Sequence, residues 1–129
     1  MSAAEPIWVR IEALKVLHER SLAVHGGPSG VRDGGLLESA LERPKNRFHY
    51  EALADVLELA ATYAVAISGN HPFVDGNKRA AFHAMALFLR LNGLRLKADQ
   101  TDAALTIFKL AAGELDIPTL TEWLRTRVV

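Results

Sequence analysis

Nine consecutive residues, His71-Pro72-Phe73-Val74-Asp75-Gly76-Asn77-Lys78-Arg79, gather more reactive chemistry than any other stretch of the chain. An ordinary histidine titrates near pH ~6.5, so His71 can present a neutral imidazole that accepts a hydroxyl proton. Asp75 is a hard oxygen ligand suited to Mg2+, which takes one or two carboxylates together with phosphate oxygens. Gly76 lets the backbone turn and approach a ligand with no Cβ in the way. Asn77 can cap a helix and still offer its amide to an oxyanion. Lys78 and Arg79 put two cations at a helix start, which the helix dipole disfavours unless an anion sits there. That local penalty points to a phosphate, which the free N–H groups of a helix start also attract. Pro72 restricts the loop backbone, and Phe73 is suited to anchoring it in the core.

Two central helices must hold this loop. The run from about Glu51 to Ser68 carries a stripe of Leu53, Val56, Leu57, Ala60, Ala64 and Ile67, and its alanines predict close burial on more than one side. Gly69-Asn70 ends it and Pro72 bars continuation. The second central helix runs from Asn77 or Lys78 to about Leu91, with Phe82, Met85, Leu87, Phe88 and Leu91, and Asn92-Gly93 closes it. Before them, Pro6 opens a helix through Ile7, Ile11, Leu14, Leu17 or His18, and Leu22, which Gly26-Gly27-Pro28 stops near His25. Asp33 caps a short helix with Leu36, Leu37, Ala40 and Leu41 that should end before Pro44, leaving 43–50 as an irregular basic-aromatic link. Beyond the central pair, Thr101 or Asp102 caps a helix with Leu105, Ile107, Phe108 and Ala111. Pro118 opens a last one with Leu120, Trp123 and Leu124 facing inward. A short extended piece is possible around Leu94-Arg95-Leu96. The expected fold is all-α, a compact bundle of about six helices in a single domain over 1–129.

A chain of 129 residues, half of them apolar, can bury roughly 65–70% of its unfolded surface without disulfides or structural zinc. It has no cysteine, which excludes thiol catalysis, iron–sulfur clusters and cysteine zinc sites. Lysine plus arginine equals aspartate plus glutamate at 15 each, a balance that argues against general nucleic-acid or direct DNA binding. No apolar run reaches the ~20 residues that span a bilayer. Residues 1–10 show no basic start followed by an apolar stretch. The expectation is a soluble cytoplasmic domain. From residue types alone, the plain reading of 71–79 is structural, since capped helix–loop–helix turns with solvated cations are common.

The string HPFVDGNKR resembles the signature loop of the Fic/Doc family, H-P-F-x-[D/E]-G-N-[G/K]-R, and matches its eight specified positions. His25-Gly26-Gly27, Gly30-Val31-Arg32-Asp33, Gly35-Leu36-Leu37, Ala40-Leu41 and Arg43-Pro44 resemble the amino-terminal part of its death-on-curing toxins. The run from Ala86 to Gly93 resembles their second central helix, so the likeness spans about Ile7 to Leu124. The resemblance implies ATP as substrate and His71 as the base that activates a target hydroxyl. It implies that Asp75 holds Mg2+ on the nucleotide, that Gly76, Asn77, Lys78 and Arg79 bind phosphate, and that Phe73 is an internal anchor. It also implies that about Gly26 to Tyr50 forms a flap where the target docks.

Two departures separate branches of the family. AMP-transferring members have glycine where this chain has Lys78, and a second arginine where it has Phe82. Both changes resemble the Doc branch, which presents the γ-phosphate to a Ser or Thr hydroxyl of elongation factor Tu or another translation factor. Gly76 goes the other way, because the Doc pattern often has alanine there, and His83 stands where asparagine is usual. The family resemblance implies a Phd-like antitoxin acting in trans, since the chain lacks the Ser/Thr-x-x-x-Glu-Gly/Asn inhibitory pattern. An AMP transferase and a catalytically silent partner-binding module are the alternatives.

Other groups read more plainly. His18 and His25, two helical turns apart, are expected to be structural or surface residues rather than ligands. His49, between Arg47 and Tyr50, reads as loop packing, with contact to a nucleotide base or target as the alternative. His83 either reaches the site or is a satisfied buried histidine. Gly26-Gly27-Pro28-Ser29-Gly30 lacks the Gly-Lys-Ser/Thr ending of a Walker loop and reads as turn and hinge. Trp8 and Trp123 are expected in the core or at its rim.

Overall fold

The structure, a computed structural model, describes residues 4–129; Met1 to Ala3, part of the expected 1–129 domain, lie outside the described residues. Six helices follow in order: α1 Ile11–His25, α2 Gly34–Glu51, α3 Val56–Asn70, α4 Asn77–Leu91, α5 Gln100–Ala111 and α6 Ile117–Arg125. The all-α expectation holds, and among the described residues β structure is limited to the isolated bridges Val31–Phe73 and Leu96–Val128. No helix among them is long and apolar enough to cross a membrane.

The buried pair α3 and α4 forms the centre, with α2 and α6 against α3 and α1 against α4. Ala60, Ala61, Ala64 and Ala66 of α3 and Ala80, Ala81 and Ala84 of α4 are buried, so the two backbones approach closely over Tyr63, Ile67, Met85 and Phe88. That contact fixes the end of α3 and the start of α4, the two ends joined by the 71–76 loop.

Four boundaries differ from the sequence reading, the first two through partners distant in sequence. The first helix begins at Ile11, not Pro6, because the preceding segment is extended and pinned. Ile7 exchanges two hydrogen bonds with the Asn92 amide at 2.8 and 2.9 Å, and the Val9 N–H donates to the Tyr63 hydroxyl at 3.1 Å. The second helix runs through Pro44 to Glu51, so 43–50 is helix and not an irregular link. Interior proline costs ~3 kcal/mol or more. Burial of Pro44 beside Leu37, Ala40 and Leu41, the Trp8–Phe48 edge contact at 5.7 Å and the Arg47–Glu58 pair at 2.6 Å offset that cost. The third helix starts at Val56, capped by Asp55, because Ala52 in the left-handed region ends α2. Asp99, rather than Thr101 or Asp102, caps α5, where Leu105 and Phe108 stay exposed. The Leu94–Leu96 piece pairs with the C-terminus through Arg95 and Val129.

Trp8 stacks on Phe88 and Trp123 donates to Asp102, which places both at the core rim. His49 pairs with Glu5 at 3.1 Å, a packing role at the surface.

Candidate functional site

The 71–76 loop is clamped from outside by an extended segment after α1. Arg32 N–H and Asp33 N–H both donate to the Pro72 carbonyl at 2.7 and 3.1 Å, and Val74 N–H donates to the Gly30 carbonyl at 3.0 Å. The Arg32 guanidinium donates to the last carbonyls of α3: Nε to His71 O at 2.8 Å and Nη2 to Asn70 O at 3.1 Å. These are orphan acceptors at a helix C-terminus, where a cation is also favoured by the dipole. His71 itself sits in the left-handed region at φ 52°, its N–H closing the helix onto Ile67 O at 3.1 Å. The expected 26–50 flap is therefore two things: an extended clamp up to Asp33, and the rigid helix α2.

From inside, Asn77 holds the loop shut. Phe73 N–H can only donate, so the atom 2.8 Å from it is Asn77 Oδ1. The amide nitrogen then donates to Phe73 O at 3.0 Å and to His71 Nδ1 at 3.1 Å. An NH2 group carries no acceptor, so Nδ1 holds the lone pair and the neutral His71 ring carries its proton on Nε2. Asn77 is 5% exposed, and both its amide donors are committed within the loop. Its side chain is thus a strut, while Gly76, at φ 74°, takes the N-cap position.

The start of α4 has no side-chain cap and no acidic residue in its first turn. The backbone N–H groups of Asn77, Lys78 and Arg79 have no partner within the helix. Lys78 is exposed and Arg79 half-buried, and neither forms an ion pair among the described residues. The electrostatics of this end of the helix favour an anion. It opens into a cavity of about 370 Å3, lined by His71, Asp75, Gly76, Asn77, Lys78 and Arg79, with Ser68 from α3 and Ala111 from α5. All the sequence-derived site residues therefore meet in one space. A larger cavity of about 490 Å3 between Ala86, Arg90 and Leu94–Leu96 has no acid–base pair, and its size carries no chemistry.

Asp75 is exposed and forms no ion pair among the described residues. Those residues include no cluster of three or more His, Asp or Glu side chains able to hold a metal ion alone. One carboxylate beside an anion-attracting helix end would fit a Mg2+ carried in on phosphates better than a metal resident in a protein cage. Gly27, at φ 115°, lies against this carboxylate: a Cβ there would stand 2.3 Å from Asp75 Oδ2.

Sequence reasoning missed Arg32, Gly27 and His18. The Gly26-Gly27 pair signalled a special backbone but not its neighbour. Of the structural and surface readings of His18 the structural one holds: it is 1% exposed, and its ring stacks on Phe73 with centroids 3.9 Å apart. Burial lowers its pKa against the opposing effects of Glu19 and Asp75. His83 is half-buried, does not line the cavity, and has its pKa lowered by burial and then by His18, His25 and Arg79. Phe82 turns to Trp123, with centroids 6.4 Å apart.

A family model described as the Fic/DOC family matches residues 8–89. The chain is 37% identical over 114 residues to the "Protein kinase doc" of Escherichia phage P1, covering 88% of this chain and 90% of that protein. It is 41% identical over 75 residues to the "Toxin Doc" of Mycolicibacterium smegmatis, covering 57% of this chain and 58% of that one.

Proposed function

The chain belongs to the Fic/DOC family, and on that premise we propose that it is a Doc-like toxin kinase. It moves the γ-phosphate of ATP to a Ser or Thr hydroxyl of a translation factor, with elongation factor Tu as the first candidate. The observation that carries this reading is the uncapped start of α4, with Lys78 and Arg79 beside His71 and Asp75 in one cavity. Lys78 occupies the place where AMP-transferring members leave room with glycine, and Phe82 supplies no second arginine. Gly76, the one residue of the loop favouring AMP transfer, has a local cause: a Cβ there would stand 3.0 Å from His18 Cε1.

In this mechanism the triphosphate sits on the N–H groups at the start of α4, with Lys78 and Arg79 on its outer oxygens. Asp75 would hold Mg2+ on the phosphates, which supplies charge neutralisation as the terminal group departs. The target hydroxyl oxygen forms a bond to the γ-phosphorus, the bond to the β–γ bridging oxygen breaks, and ADP leaves with that electron pair. The hydroxyl proton passes to His71. The resting lone pair is on Nδ1, so this step requires the Asn77 amide to yield to the hydroxyl or the ring to exchange tautomers. Positioning and electrostatics provide most of the rate in such a transfer. The protein acts in the cytoplasm, where its substrates are, and a separate Phd-like antitoxin silences it.

The reading is tested by incubating the protein with cell lysate and ATP labelled at either the γ or the α position. Label should pass to a protein from the γ position alone. Transfer from the α position alone would replace the kinase with an AMP transferase. Growth arrest that is equal for wild type and His71→Ala would replace it with a binding module.

A further inference from the structure

Beneath the loop lies a polar group that the mechanism above does not use. His18, on α1, is buried to 1% exposure, and neither ring nitrogen has a hydrogen-bond partner. A neutral imidazole always carries one N–H, and leaving such a donor dry in a core is unfavourable. An apolar side chain could fill the same volume without that penalty. Two contacts tie the ring to the loop: its face lies on Phe73, and a Cβ at Gly76 would press on its Cε1 at 3.0 Å. Gly76 lies over the Cε1–Nδ1 edge of the ring, 3.0 and 3.8 Å from where its Cβ would stand, which brings the adjoining Asp75 backbone to that edge. That approach falls outside hydrogen-bond geometry.

We propose that His18 is a positioning residue for the phosphate loop, its ring supporting Phe73 and Gly76 and its N–H reserved for the Asp75 backbone when ATP and Mg2+ settle the loop. The unmet hydrogen bond in the free protein is completed in the complex, so its free energy appears as nucleotide affinity instead of fold stability. Buried unpaired groups kept at functional loops have this signature: they destabilise the free protein and strengthen the bound one. The inference concerns the N–H, not the charge of the ring. It rests on the proposal that this loop binds a nucleotide.

The test compares His18→Met with His18→Gln in the full chain, a pair of equal length that differs in the amide N–H. Calorimetric titration with ATP in Mg2+ reads affinity, and thermal melting of the free protein reads stability. Relative to His18→Gln, His18→Met should melt higher and bind ATP about tenfold more weakly, the worth of one hydrogen bond. His18→Gln should bind nearly as wild type does. Equal affinity in the two variants would overturn the proposal. So would a His18→Met protein that is both less stable and weaker in binding, since a packing role moves both together. His18→Phe, which keeps an aromatic face against Phe73 and removes both nitrogens, repeats the comparison with wild type if the flexible side chains fail to fold. A wild-type protein that binds no ATP would instead sink the kinase reading, and the melting comparison would stand apart from it.

Discussion

Replacing Asn77 with alanine separates a strut from a ligand. The Asn77 amide makes three hydrogen bonds, two of them to the main chain of Phe73. Phe73 is 1% exposed, and the bonds beside it in the extended clamp use Pro72 O and Val74 N–H, not its own groups. Truncation therefore strands one donor and one acceptor away from water. Each such group costs ~1–3 kcal/mol, and relaxation of the loop recovers part, which leaves a loss of about 2–4 kcal/mol. Against a total stability of ~5–15 kcal/mol this is large. At ~3–5 °C per kcal/mol for a chain of this size, the melting point should drop by roughly 6–20 °C. Asn77→Asp keeps an acceptor for Phe73 N–H and should lose only about half as much. Circular-dichroism melts and hydrogen exchange at the Phe73 amide measure both effects. An Asn77→Ala protein that melts within ~2 °C of wild type, with Phe73 still protected, would refute the strut and return Asn77 to the role of a phosphate ligand.

Other outcomes follow from the same geometry. His71→Ala should fold as wild type does, because the ring is exposed, yet lose about 10^2–10^4-fold in transfer rate by removal of the base; an active, folded variant would exclude His71 from the chemistry. Arg32→Ala frees the carbonyls of Asn70 and His71 and should raise the KM for ATP several-fold, with little change in binding for a Lys97→Ala control; matched KM values would show that the clamp is idle. His83 has a lowered folded-state pKa, so the unfolded chain takes its proton first on acidification. Its contribution is intact above pH ~6.5 and is lost as pH falls from there toward the folded pKa. His83→Asn should flatten the fall in melting point between about pH 7 and 5, and an unchanged slope would assign that fall to other groups. Gly27→Ala should weaken Mg2+-dependent ATP binding, since a Cβ there meets the Asp75 carboxylate; titration at wild-type affinity would remove Gly27 from the site.

The loop and its two rods were legible because their signals are local. The alanine-rich stripe of α3, the Gly69-Asn70 stop and the dense motif of 71–79 lie within one continuous segment, and the boundaries of α4 agree with the sequence reading. What was not legible depends on partners far along the chain. Pro44 reads as a stop, and its burial, the Trp8–Phe48 contact and the Arg47–Glu58 pair carry the helix past it. Pro6 reads as a helix start, until Asn92 and Tyr63 pull Ile7 and Val9 into an extended strap. The same holds in the site. Asn77 looks like a ligand by type, and its inward turn depends on how the loop closes over Phe73. The partners of Arg32 and His18 are as remote: one reaches 39 residues ahead to a helix end, and the other stacks on a loop more than 50 residues away.

In the proposed mechanism the loop delivers the terminal phosphoryl group of ATP to a protein hydroxyl. Its most direct test is the intact mass of elongation factor Tu, and of the proteins of a whole lysate, after incubation with this chain, ATP and Mg2+. One added phosphoryl group is expected on a target, and none with His71→Ala. An adenylyl adduct, or no mass change in any protein, would contradict it.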